Sequence, residues 1–207
     1  VITSHGAIPS FLNYNGYPAS ICASINEVVI HGIPSSKQIL KDGDIISIDI
    51  GANYKGYHGD CARTWPCGNV KSDRLKLIEV TEQSFFEGLK YAHPGNRLSD
   101  ISHAIEMYAK KFNYGVVRDF TGHGVGSKLH EDPAVPNYGK EGMGPVLRKG
   151  MTLAIEPMIN MGTYKVKILA DGWTTITSDH SPSAHYENSI VITDNGYEIL
   201  TKIKEND

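Results

Sequence analysis

Residues 45–65 read IISIDIGANYKGYHGDCARTW, and this stretch decides the kind of fold the chain adopts. Over residues 45–51, Ile46, Ile48 and Ile50 alternate with Ser47 and Asp49, the period of two expected of a strand with two unlike faces. Residues 57–65 read as its hairpin partner, with turn residues at Asn53 and Gly56. A turn centred between Tyr54 and Lys55 puts Asp49 directly opposite Asp60, with Cβ atoms ~4.5–5.5 Å apart. Like charges so placed destabilise a sheet. A metal ion is the simplest compensation.

Three further segments repeat the anomaly. TGHGVGS (121–127) carries His123, LAIEPMIN (153–160) carries Glu156, and AHYENSIVIT (184–193) carries Glu187. Charged groups are seldom fully buried unless paired or metal-bound, and few Lys or Arg lie nearby. Singly, each has an ordinary reading: an edge Asp, a strand-end Glu before Pro157, a His in a glycine turn. Together they indicate one site. Four carboxylates and one imidazole, without thiolate, favour Mn, Fe, Co or Zn bridged by carboxylates over a structural cysteine–zinc site. Two divalent ions balance four carboxylates, and such a pair lowers the pKa of water and clamps an oxyanion.

Around these segments the chain is ordinary. Its 207 residues are 40% apolar and 21% charged, enough for one domain with a sizeable core. A net charge of −3 gives no footprint for nucleic acid or an anionic membrane. No apolar run approaches the ~20 residues of a membrane span. Cys22, Cys61 and Cys67, odd in number and few, point to a reducing compartment and so to the cytoplasm.

Helices are expected over residues 72–91, capped by Ser72 or Asp73 and ended by Pro94-Gly95, and over 98–112, with Gly115 as the stop. Strands are expected at 28–30, 152–159, 164–169, 173–177, 189–193 and 197–200. The pattern is α+β without βαβ regularity.

NEVVIHGIP (26–34), DGDIISIDIGA (42–52), GYHGD (56–60), GHGVGSKLHEDP (122–133), IEPMIN (155–160) and AHYENSIVIT (184–193) resemble, in order, the motifs of the type I methionine aminopeptidases of peptidase family M24. The likeness runs from SHGAIPSFLNYNGYP to TDNGYEILT. It implies the pita-bread (creatinase/aminopeptidase-like) fold, a curved antiparallel sheet backed by helices with pseudo-twofold symmetry. Residues 1–207 then form a single metallo-aminopeptidase catalytic domain, lacking an N-terminal helical segment that covers the back of the sheet in bacterial relatives.

The resemblance also implies roles. Asp49 chelates one metal, Asp60 and Glu187 bridge both, and His123 and Glu156 complete the second. A water or hydroxide activated by the two metals attacks the carbonyl of an N-terminal methionine when the second residue is small. Glu156 shuttles the proton, His130 hydrogen-bonds the carbonyl oxygen, and His31 contacts the scissile amide. Tyr14, Tyr17, Cys22, Leu129 and Trp173 form the methionine pocket, together with His31 and His130. Leu129 departs from a common aromatic residue and His185 from a common Gln. A sodium or potassium ion near Asn26, Val28 and Ser183 is a weaker implication.

The implied partners are N-terminal Met peptides and nascent chains, at the ribosome, for a monomer that binds neither nucleic acid nor membrane. Two other readings remain open: a proline-specific pita-bread peptidase (Xaa-Pro aminopeptidase or dipeptidase), which shares the five ligands, and a non-catalytic binding module.

Overall fold

The computed structural model describes residues 1–202 of the chain. Along them run β1 (Ile8–Pro9), β2 (Cys22–Ile25), β3 (Val28–Ile30), β4 (Ile45–Tyr54) and β5 (Tyr57–Pro66), then helices α1 (Ser72–Leu89) and α2 (Leu98–Lys110). Short strands follow: β6 (Gly115–Val116), β7 (Gly122–Gly124), β8 (Glu131–Val135), β9 (Thr152–Ile155), β10 (Met158–Asn160), β11 (Val166–Ile168), β12 (Thr175–Thr177), β13 (Ser183–His185), β14 (Glu187–Ile192) and β15 (Tyr197–Ile199).

The main sheet is antiparallel, in the order β1-β4-β5-β14-β9-β7-β8, with β2 also on β4 and β15 also on β14. Two smaller sheets, β13-β10-β6 and β11-β12-β3, flank it. Strands distant in sequence are therefore neighbours in space, and this brings the scattered acids together.

The β4–β5 hairpin forms, but its register differs from the expected one. Tyr54 pairs with Tyr57, so Asp49 faces Ala62 and Asp60 faces Gly51. The turn is Lys55-Gly56, both at positive φ (51° and 88°), a two-residue loop whose twist suits a hairpin. Centring the turn one residue later moves Asp60 two positions along. The two aspartates remain on one face as diagonal neighbours, not as a directly opposed pair.

The helices back the sheet. Phe85 and Leu89 of α1 and Ile101 and Ile105 of α2 pack on Leu153, Ile155, Ile190 and Ile192. Each such buried side chain contributes about 1.5–3 kcal/mol. The alternation explains the rest: Leu153 and Ile155 face the helices, so Ala154 faces the other way.

Helix ends differ from expectation. Lys71 is the N-cap of α1 and no side chain caps it; Ser72 is its first helical residue and Asp73 sits in the first turn. Chain reversal after α2 falls on Asn113 at φ 59°, ahead of Gly115. The strand expected over 152–159 is split into β9 and β10 at Glu156-Pro157, because proline has no N–H for the ladder. On the far face of the hairpin, Ile50 and Trp65 are exposed.

Candidate metal centre

Two adjacent rows across the main sheet build the site. In one, Asp49, Ala62 and Glu187 lie side by side on β4, β5 and β14. In the other, Ser189, Ala154 and His123 lie side by side on β14, β9 and β7. Asp60 joins the second row: its N–H donates to Ser189 Oγ (2.9 Å) and its carbonyl accepts from that hydroxyl (3.0 Å). Charged side chains thus alternate with alanine or serine, which leaves room between them. Glu156 directly follows Ile155, whose partner on β14 is Asn188, next to Glu187.

The five side chains converge. His123 Nε2 lies 3.5 Å from Glu156 Oε1 and 4.0 Å from Asp60 Oδ2. One ligand atom each from Asp60, His123 and Glu187 lie within 4.8 Å of one another. His123 Nδ1 is 2.8 Å from the Gly124 carbonyl; donation there leaves Nε2 unprotonated and free to ligate.

Burial dominates the electrostatics. It pushes the Asp49 carboxyl up to about 7 and Glu156 to about 8. Asp60 and Glu187 are driven well above the carboxylate range by burial first and by neighbouring carboxylates second. Burial also lowers His123 to about 4. Asp49 Oδ1, Asp60 Oδ1 and Glu187 Oε1 are buried without any hydrogen-bond partner. Orphaned carboxylate oxygens are costly in protein alone. Those oxygens and a neutral imidazole are the donor set of divalent cations, so the residues fit the implied metals.

Three residues support this set. Arg63 donates to the carbonyls of Ala62 and Glu187 and to Asn188 Oδ1 (2.7 Å), tying β5 to β14. Asn137, fully buried, donates Nδ2 to the Glu156 carbonyl at 3.0 Å. His185 Nε2 is 3.5 Å from Glu156 Oε2 and otherwise unpartnered. The sequence marked His185 only as a departure and missed Asn137, since a buried amide has no local signature.

A cavity of about 220 Å³ opens on the acids. Tyr14, Tyr17, Cys22, Leu129 and Trp173 line it, with Phe11 and Asn15, which the sequence did not single out. Tyr17 and Cys22 are buried, and burial raises both ionisations out of the working range. The Tyr17 hydroxyl donates to the Gly32 carbonyl at 3.0 Å.

Both outer histidines reach this cavity. His31, at φ 58° just beyond β3, sits edge-on to Phe120 and Trp173, and burial lowers it to about 4. His130 sits edge-on to His123, ring centroids 4.2 Å apart.

Asn26, Val28 and Ser183 lie outside the cavity. Asn26 Oδ1 accepts from Arg74 Nη1 (2.6 Å) and Ile45 N (3.2 Å), and its Nδ2 donates to Asp44 (2.8 Å). Ser183 Oγ donates to Asn160 Oδ1 (2.8 Å). Both side chains are thus engaged with protein groups.

An antiparallel sheet that gathers an imidazole and four carboxylates, Asp60 and Glu187 buried and Asp49 and Glu156 half-buried, beside an apolar cavity is the arrangement of a metal-dependent hydrolase. The chain belongs to metallopeptidase family M24, whose profile matches residues 2–194. It is 58% identical to a methionine aminopeptidase of Clostridium acetobutylicum, over 97% of this chain and 80% of that protein. It is 56% identical to methionine aminopeptidase 1 of Bacillus subtilis, over 98% and 81%. The fold superposes on the methionine aminopeptidase of Thermotoga maritima with a TM-score of 0.96, at 46% identity over 98% of this chain and 81% of that one. A prolidase of Pyrococcus horikoshii is more distant: TM-score 0.70, 26% identity, 90% of this chain but 48% of that one. The pita-bread fold expected from the motifs is the fold of this chain.

Proposed function

We propose that this chain is a methionyl aminopeptidase, a hydrolase that removes the N-terminal methionine of peptides and nascent proteins when the second residue is small. The observation that carries the reading is similarity to methionine aminopeptidases over nearly the whole chain, at 58% identity. The proline-specific alternative rests on much weaker likeness.

Asp49, Asp60, His123, Glu156 and Glu187 would hold two divalent ions, drawn from Mn, Fe, Co and Zn. Ions held there would polarise a carbonyl and lower the pKa of water. The chain's own side chains do the rest. The apolar wall from Tyr14 to Trp173 takes the methionine side chain, whose flexible thioether suits an irregular pocket. His130, at the same cavity, donates to the carbonyl oxygen as it becomes an oxyanion. Glu156 carries a proton between the attacking water and the departing amine. His31 hydrogen-bonds the scissile amide and assists its departure. The acids line the same cavity, so a free amine is drawn to them and cleavage is limited to the first residue. Action in the cytoplasm, as a monomer on chains leaving the ribosome, completes the reading.

A peptide panel tests it. Metal-loaded protein should cleave Met-Ala-Ser and Met-Gly peptides and should barely cleave Met-Leu or Met-Lys peptides. Faster hydrolysis of Xaa-Pro peptides would replace this reading with the proline-specific one. No hydrolysis of any peptide would favour a binding module.

A further inference from the structure

The Tyr14 hydroxyl lies 2.8 Å from His130 Nδ1, a contact across 116 positions of sequence. The two rings meet edge to face, centroids 5.1 Å apart at 61°. Both partners are anchored to one hairpin. Tyr14 sits in a tight turn, its N–H donating to the Phe11 carbonyl (3.0 Å) and its carbonyl accepting from Tyr17 N–H (2.9 Å). Ser10, just before that turn, bonds His58 Nδ1 at 2.8 Å. The His58 backbone N–H donates to the Gly126 carbonyl at the base of the loop that carries His130 (2.8 Å).

A neutral imidazole donates from one nitrogen only, and the partner of the other nitrogen decides which. If Nδ1 carried the proton, Nε2 would be an acceptor and would repel a developing oxyanion. If Nδ1 accepts from a hydroxyl, the proton sits on Nε2 and can be donated to substrate.

We propose that Tyr14 is a positioning residue for His130, its hydroxyl donating to Nδ1 and so holding the ring in the tautomer that presents Nε2–H to the scissile carbonyl. The Tyr14 ring also lines the methionine cavity. A side chain seated there packs against the residue that orients His130, which links recognition of the first residue to the hydrogen bond made in the reaction. The inference rests on the reading of His130 given above.

Tyr14→Phe keeps the ring and removes only the hydroxyl. We expect kcat for Met-Ala-Ser to fall roughly tenfold, the scale of one lost orienting hydrogen bond, with KM unchanged within about twofold. Adding Tyr14→Phe to His130→Ala should cause no loss beyond that of His130→Ala alone. In zinc-loaded protein with ¹⁵N-labelled imidazoles, His130 should show a single Nε2–H tautomer, and Tyr14→Phe should give a mixture. The proposal is overturned by a rise in KM at constant kcat, by additive losses in the double variant, or by an unchanged tautomer. The tautomer is read without turnover, so a wild-type protein inert toward Met-Ala-Ser would sink the function while the spectrum still judged Tyr14.

Discussion

At the scale of single residues, the centre is a set of groups that harm the fold unless something binds them. Asp49 illustrates this. Its Oδ1 is buried without a partner and its carboxyl is pushed to about 7 by burial. Removing it takes away a desolvated acid, not a packing element. Asp49→Ala should therefore leave the metal-free fold as stable as before or slightly more so, while kcat/KM falls by roughly a thousandfold or more. His123→Ala should lose activity equally. Circular dichroism, melting temperature and peptide turnover check both variants. Turnover near the wild-type rate in either one would remove that residue from the ligand set.

At the scale of elements, the text of the chain specified more about which residues meet than about how strands are cut. Alternation made β4 legible and put Asp49 and Asp60 on one face. It did not fix the turn, because Lys55 carries no φ > 0 signature and the choice between Tyr54-Lys55 and Lys55-Gly56 rests on one glycine. The split between β9 and β10 was masked by a continuous apolar run, although Pro157 was the clue. Asn137 and Phe11 were illegible because only tertiary packing brings them to the site, and His185 was marked as a departure without its place beside Glu156. The glycines beside His123 show the reverse: they read as a turn and are a strand. A Cβ on Gly124 would lie 2.3 Å from the Asp132 carbonyl oxygen, and one on Gly122 would lie 2.3 Å from that of Ala154. Strand β7 therefore accepts only glycine there, between β8 and β9. Gly124→Ala must push backbone aside, at a cost of about 1–3 kcal/mol. It should also shift His123, so that chemical denaturation and kcat fall together. A variant of unchanged stability and activity would show that β7 does not set the histidine's place.

At the scale of the whole molecule, stability should depend on metal and pH in a way ordinary domains do not show. In the metal-free chain the folded values of Asp49 and Glu156, about 7 and about 8, stand above unfolded values of about 3.9 and 4.3. Raised carboxyls contribute stability that is full below about pH 4 and is lost as pH rises through 7 to 8. His123 and His31 act in the opposite sense. Their folded values of about 4 lie below an unfolded value of about 6.5, so their contribution is full above pH 6.5 and is lost as pH falls through 4. Between pH 6.5 and 8 the histidine contribution nears completion while the acids go on losing theirs, and the metal-free protein should weaken across that window. Divalent ions reverse the trend, because they bind the deprotonated carboxylates and release protons, and what binds only the folded state stabilises it. Melting temperatures at pH 6.5 and 8, with chelator and with saturating Mn²⁺, should thus show the larger metal-induced rise at pH 8. Equal rises at both values, or a metal-free chain that grows more stable toward pH 8, would mean that these buried acids do not control the coupling of metal to fold.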